Sequence, residues 1–300
     1  MTMQEVLADI QSGRKKKVIL DTDTYNEVDD QYALAYCYLS EKMDLLAVQA
    51  AGFHNEKSDG FADGMERSYQ EIHKVLHLID PDYTTPVFRG CTQRMTDVGG
   101  AVDSDATENL IRMVRESEEV VYVLVIGAIT NVTSAILKAP DIKEKMVVVW
   151  LGSNDLEHED IREFNLFQDF LAGHEIVECG VPLVLCPAFH VTAALTADME
   201  LIRELNGYNA VCDYLVAILE DRFRGRGSPE GWKKVIWDIA APSILATPEC
   251  ATLEIMEAPI LQENYQYGFA EGRHEILFLR KIDREIVFDA TWKLLKQGKK

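Results

Sequence analysis

No stretch of the chain is apolar for anything near the ~20 residues that a membrane-spanning helix needs. The opening segment, MTMQEVLADIQSGRKKK, also lacks the apolar core of a secretory signal. Basic residues are outnumbered, with 30 Lys and Arg against 50 Asp and Glu and a net charge of −20. That balance argues against phosphate backbones and anionic membranes as partners and favours neutral or cationic substrates, or metal ions. Cysteines at metal-binding spacing are missing. The six present (Cys37, Cys91, Cys179, Cys186, Cys212 and Cys250) are scattered without a C-x-x-C, and Cys37 and Cys186 sit inside apolar runs. Reduced core residues of a cytosolic protein have that distribution. There is no internal repeat, low-complexity segment or long linker. These absences lead us to expect a soluble, cytoplasmic protein with one domain over residues 1–300, and no membrane or nucleic acid among its partners.

What the chain has in excess is carboxylate, and it is concentrated. Val18, Ile19 and Leu20 form an apolar run that suits a strand buried on both faces. Asp21, Asp23, Glu27, Asp29 and Asp30 follow within ten residues, and Gln31 to Leu39 then reads as a mostly buried helix. The acidic loop therefore joins the carboxyl end of a strand to the amino end of a helix, where open α/β sheets bind ligands. Clustered anions raise one another's pKa unless a cation sits among them. A helix terminus offers only about half a charge, whereas a hard divalent ion with oxygen ligands offers far more. The plainer reading makes Asp29 or Asp30 a helix cap.

Further strands are expected at Leu45–Ala51, Pro86–Phe88, Val120–Ile126, Met146–Leu151 and Pro182–Cys186, with others between Leu253 and Leu279. Helices are expected at Gly60–Ile79, Asp105–Ser117, Val132–Lys138, Asp169–Glu178, Ala197–Asn206, Tyr208–Phe223, Ile239–Ala246 and Arg284–Leu295. Thr130-Asn131 reads as the cap of its helix, and Arg224 to Gly231 as a flexible loop. This alternation implies an α/β fold, with a mostly parallel open sheet flanked by helices and joined by right-handed crossovers.

Four loops at strand ends carry similar chemistry: Asp21 to Asp30, Gly127 to Asn131, Glu163-Phe164-Asn165 and Trp237-Asp238. In that order, over roughly residues 17 to 246, they resemble the nucleoside hydrolase family of the inosine–uridine-preferring type. The first motif, D21-T-D23-T-Y-N-E-V-D29-D30, lacks the usual Pro-Gly and is about two residues longer. The resemblance implies a Rossmann-like nucleoside hydrolase fold and a Ca²⁺ ion held by Asp23, Asp30, Asp238 and the backbone carbonyl of Ile126. Asp29 would take a proton from the metal-bound water, with Asp21 supporting the site from behind. Glu163 and Asn165 would hold the ribose, joined by Asn154 at the 5′-hydroxyl and, more loosely, by Asn55. It also implies a homo-oligomer, a dimer or tetramer, acting on a small-molecule ribonucleoside.

Many members of that family have a His before the last Asp. Here it is Trp237, which offers a stacking face for a base and no useful proton. The candidates left for protonating the leaving base are His158, Tyr25, Glu157 and Arg226. Two other readings compete. Leu20-Asp21-Thr22-Asp23-Thr24 copies the D-x-D-x-T of haloacid dehalogenase-type phosphatases, with Asp21 as nucleophile and Asp23 as acid. The same scaffold could also bind a riboside without turning it over.

Overall fold

The apolar runs become the strands of one sheet. In this computed structural model, which describes residues 1–224 and 231–299, β1 (Lys16–Thr22), β2 (Met43–Ala50), β3 (Val87–Arg89), β4 (Val121–Val125), β5 (Met146–Leu151) and β6 (Leu183–Cys186) lie parallel. A ribbon follows, made by β7 (Thr196–Asp198) and β8 (Lys233–Val235). After β9 (Ala251–Glu257) comes a second ribbon of β10 (Ile260–Leu261) and β11 (Tyr267–Gly268), and then β12 (Glu275–Ile282). The large sheet runs β3-β2-β1-β4-β5-β6-β12-β9, and its one antiparallel pair, β12 with β9, lies at an edge.

The strand order reverses direction about β1, whose Leu20 faces Val48 of β2 on one side and Leu124 of β4 on the other. Such a switch point opens a crevice at the carboxyl ends of the strands. β1, β4 and β5 carry apolar residues on both faces because both faces are covered. Val18, Leu20, Tyr122 and Leu124 feed one core, while Ile19, Val121, Val123, Val125 and Trp150 feed the other.

α1 (Met3–Gln11) packs Met3, Val6 and Ile10 into the first core, to which α2 (Asp30–Leu39) also contributes. No element was expected at α1. Its signal is the Thr2-x-x-Glu5 capping box, in which the Thr2 hydroxyl accepts from the Glu5 N–H at 3.2 Å and Glu5 accepts from the Thr2 N–H at 2.8 Å. α3 (Phe61–Ile79) follows the expected span closely.

The expected helix Ala197–Asn206 is corrected. Thr196–Asp198 pairs instead with Lys233–Val235, and the helix covers only Met199–Arg203. The Asp198 carboxylate accepts from the Leu201 N–H at 2.9 Å, which starts the helix there. Of the loop expected over Arg224–Gly231, residues 225 to 230, Arg226 among them, lie outside the described residues. All six cysteines are unpaired. No described helix is long and apolar enough to cross a membrane.

Candidate active site and metal centre

Loops from the carboxyl ends of β1, β2, β4, β5 and β6 close around a cavity of about 440 Å³, completed by Lys234, Trp237 and Asp238. The sheet brings distant residues to its walls: Asp29, Asp30, Asn55, Ile126, Asn154, Glu163, Asn165, Trp237 and Asp238 all line it. Asp23 does not line it and is completely buried.

Asp29, Asp30 and Asp238, all buried, each offer a carboxylate oxygen, and these atoms lie within 4.8 Å of one another. Burial and the charge of Asp29 push Asp30 up to about 7. Burial and the charges of Asp29, Asp30 and Asp23 push Asp238 well above the usual carboxylate range. Asp23 is raised in the same way, by burial and by Asp30 beside it. Both Asp23 carboxylate oxygens are buried and, among the described residues, have no hydrogen-bond partner. Gly127 makes room for them, since a Cβ there would lie 3.0 Å from the Asp23 carboxyl carbon. Several buried carboxylate oxygens, two of them orphaned, form a donor set suited to a hard divalent cation.

Asp29 occupies the cap position of α2 yet makes no side-chain cap bond, so the plain capping reading does not hold. Its Oδ1 accepts from Lys234 Nζ at 3.1 Å and its Oδ2 from the Trp237 backbone N–H at 3.0 Å. Asp21 lies behind the loop, wholly buried. Its Oδ2 accepts from Asn131 Nδ2 at 2.8 Å, and burial pushes its carboxyl up to about 7. Asn131 is thereby a brace and not the expected cap: its Oδ1 also accepts from the Cys91 N–H at 2.7 Å. Thr130 Oγ1 donates to Asp169 Oδ2 at 2.7 Å, and the helix Thr130–Lys138 begins without a side-chain cap. The Asp21–Asn131 contact outcompetes capping because a buried carboxylate without a donor costs more than a frayed helix end.

On the opposite loops, Glu163 caps the helix Phe164–Gln168, accepting from the N–H groups of Asn165 at 2.9 Å and Leu166 at 3.2 Å and from Ser153 at 3.1 Å. Asn165 Nδ2 donates to the carbonyls of Ile126 at 3.2 Å and Leu151 at 2.9 Å, tying the ends of β4 and β5 together. Asn154 Nδ2 donates to the Asp160 carbonyl at 2.8 Å, and Asn55 Nδ2 to Asn26 Oδ1 at 2.7 Å.

Residues 18–289 match the family model for inosine-uridine preferring nucleoside hydrolases. The chain belongs to this nucleoside hydrolase family. It is similar to the pyrimidine-specific ribonucleoside hydrolase RihA of Klebsiella pneumoniae (strain 342), at 31% identity over 168 residues, 54% of this chain and 49% of that protein. RihA of Enterobacter sp. (strain 638) is 30% identical over the same shares. The chain thus spans about half the length of the curated relatives it matches. The structure of a purine-preferring ribonucleoside hydrolase from Gardnerella vaginalis superposes with a TM-score of 0.73 at 18% identity, over 94% of this chain and 98% of that one. An inosine-guanosine nucleoside hydrolase gives 0.75 at 17%, over 94% and 99%. The sheet described above is therefore a nucleoside hydrolase fold.

Of the groups expected to protonate a leaving base, Tyr25, Glu157 and His158 contribute nothing to the cavity wall. The His158 ring sits 5.1 Å from that of Phe189, with Nδ1 2.8 Å from the Asp160 carbonyl. Arg226 lies outside the described residues. Lys234, Arg162 and Phe189 do line the cavity and were not foreseen. Arg162 directly precedes the Glu163-Phe164-Asn165 motif without being part of it, Phe189 belongs to a loop with no motif, and Lys234 arrives only because β7 and β8 pair.

Proposed function

We propose that the protein hydrolyses the N-glycosidic bond of a ribonucleoside, with a common or modified base, to ribose and free base. One observation carries the reading: three carboxylates converge within 4.8 Å at a cavity wall, in a chain of this family. Asp23, Asp30, Asp238 and the Ile126 carbonyl are the groups that would hold a divalent cation. We assign calcium because every donor is oxygen and most are carboxylate. Bound there, the ion supplies positive charge that acidifies a neighbouring water and an oxygen-seeking grip on a vicinal diol.

Asp29 is the general base, accepting the proton of the attacking water as the anomeric carbon takes on oxocarbenium character. Glu163 spends three of its roughly four acceptor sites on N–H groups and keeps capacity for a hydroxyl. Asn165, its two N–H groups already spent, offers its amide oxygen to the pentose, with Asn154 and Asn55 beside it, and Trp237 gives the base an aromatic face. A site built around a diol should reject 2′-deoxyribosides by roughly 10⁴-fold, because its polar groups would lose their partners. The phosphatase reading lacks support, since a nucleophilic Asp21 has no access to the cavity.

The test is a panel of common and modified ribonucleosides, scored for sugar and base release with and without a chelator. Release from at least one, abolished by chelator and restored by Ca²⁺, is expected. Ribose binding without any release would make the protein a riboside binder. Turnover of phosphomonoesters instead would restore the phosphatase.

A further inference from the structure

We infer that Lys234 is the positioning residue for Asp29, the innermost cation of an ion-pair chain that runs Arg222–Glu27–Lys234–Asp29. The inference rests on the functional reading above, in which Asp29 is the base. β8 alternates, so Lys233 faces solvent while Lys234 turns inward, its side chain only 12% exposed. Its ammonium has three neighbours: Asp29 Oδ1 at 3.1 Å, the Val235 carbonyl at 2.8 Å and Glu27 Oε2 at 4.0 Å. Glu27 is held in turn by Arg222 of the helix Ala210–Phe223, at 3.3 Å from Nε and 3.1 Å from Nη2.

Among the described residues, Asp29 accepts two hydrogen bonds, one on each oxygen. The backbone N–H of Trp237 alone leaves the carboxylate free to rotate about its last bond, and the charges of Asp30 and Asp238 repel it. Lys234 removes that freedom and supplies a positive charge that offsets those anions. A buried ammonium is itself stable only among counter-charges, and Glu27 and Asp29 provide them. The pentose-binding groups of the proposed site are Glu163, Asn165, Asn154 and Asn55, so the effect of Lys234 and Glu27 is expected in the chemical step.

The decisive experiment uses the full chain with calcium and a ribonucleoside that the wild type cleaves. Lys234→Gln should lower kcat by about 30- to 100-fold, the scale of a misplaced catalytic group. KM and ribose binding should stay within about threefold, the pattern of an interaction made only in the transition state. Lys234→Arg should restore most of the rate. In an Asp29→Asn background, Lys234→Gln should cost nothing further, because the two residues act as a unit. Glu27→Gln, one link further out, should give a smaller loss of the same kind, and it carries the test if Lys234→Gln does not fold. Unchanged kcat in either variant, a rise in KM alone, or an equal loss in the Asp29→Asn background would overturn the role of Lys234. A wild type that releases no base from any ribonucleoside would overturn the functional reading instead, and this inference with it.

Discussion

Thr22 and Asp30 close the acidic loop on itself: the hydroxyl at the end of β1 donates to Asp30 Oδ1 at the start of α2 over 2.6 Å. The seven residues of chain between them are thereby held in a fixed loop, and the Asp30 carboxylate keeps one orientation. Groups that orient a metal ligand are typically worth about 10- to 100-fold in affinity. Thr22→Val should therefore weaken calcium binding by roughly tenfold while leaving the apolar volume of β1 unchanged. Calorimetric titration of calcium into both proteins checks this, and equal affinities would show that Asp30 needs no such support.

Asp29 has both oxygens engaged by cavity-side groups and none by its own helix. Asp29→Asn keeps the shape and removes the proton acceptor, so kcat should fall by at least about 10²-fold. Ribose binding should persist. Turnover close to wild type in this variant would remove Asp29 from the chemistry.

Asp23 presents the opposite case, a wholly buried carboxyl to which no described residue donates. Without a cation it is a source of instability, so at pH 8 Asp23→Asn should raise the Tm of the chelated protein. With calcium the sign reverses. A ligand at a hundred times its Kd stabilises the wild type by about 2.7 kcal/mol, and the variant should lose most of that gain. Scanning calorimetry with and without chelator measures both arms. A Tm that falls equally in the two conditions would mean that Asp23 has an ordinary structural role.

The carboxylate cluster was legible because its two signals are local. An apolar run ending in Asp21 and Asp23 marks a buried strand end, and Asp29-Asp30 opens a helix a short loop later. Trp237-Asp238 and Glu163-Phe164-Asn165 were legible by resemblance, and all but Asp23 of the expected site residues reach the cavity. Lys234 was not. The three-residue strands that deliver it are too short to show a period, and their pairing joins residues nearly forty positions apart. Asn131 was misjudged for a related reason, since a cap is a local interaction and its partner Asp21 is brought near only by the β1–β4 pairing. α1 carried its own signal in Thr2 and Glu5, but at nine residues it is stable only through packing against the core.

Glu163 should leave a mark on the pH dependence of stability. Burial pushes its carboxyl from an ordinary 4.5 up to about 7, against the pull of its N–H donors. The folded state therefore holds a proton that the unfolded state has released between those two values. Where the native state binds more protons, stability falls as pH rises. The contribution is complete below pH 4.5 and gone above about 7. In Glu163→Gln the titration is absent, so the unfolding free energy from denaturant melts should decline less steeply across that window. Parallel curves for the two proteins would contradict the assignment.

Trp237 lines the cavity and its backbone N–H holds Asp29, so the proposed stacking role of its ring can be tested apart from that contact. A substitution removes only the ring. Stacking of a base on an aromatic side chain is worth about 1–3 kcal/mol, or roughly 5- to 150-fold in binding. Trp237→Ala should therefore reduce kcat/KM for the preferred ribonucleoside within that range and compress the differences between purine and pyrimidine substrates. Competitive inhibition by ribose should be unchanged, since the pentose-facing amides are untouched. Trp237→Phe keeps a smaller aromatic face and should fall between the two. Measured over a panel of bases, a uniform loss for every substrate would mean that the indole shapes the site as a whole and does not read the base.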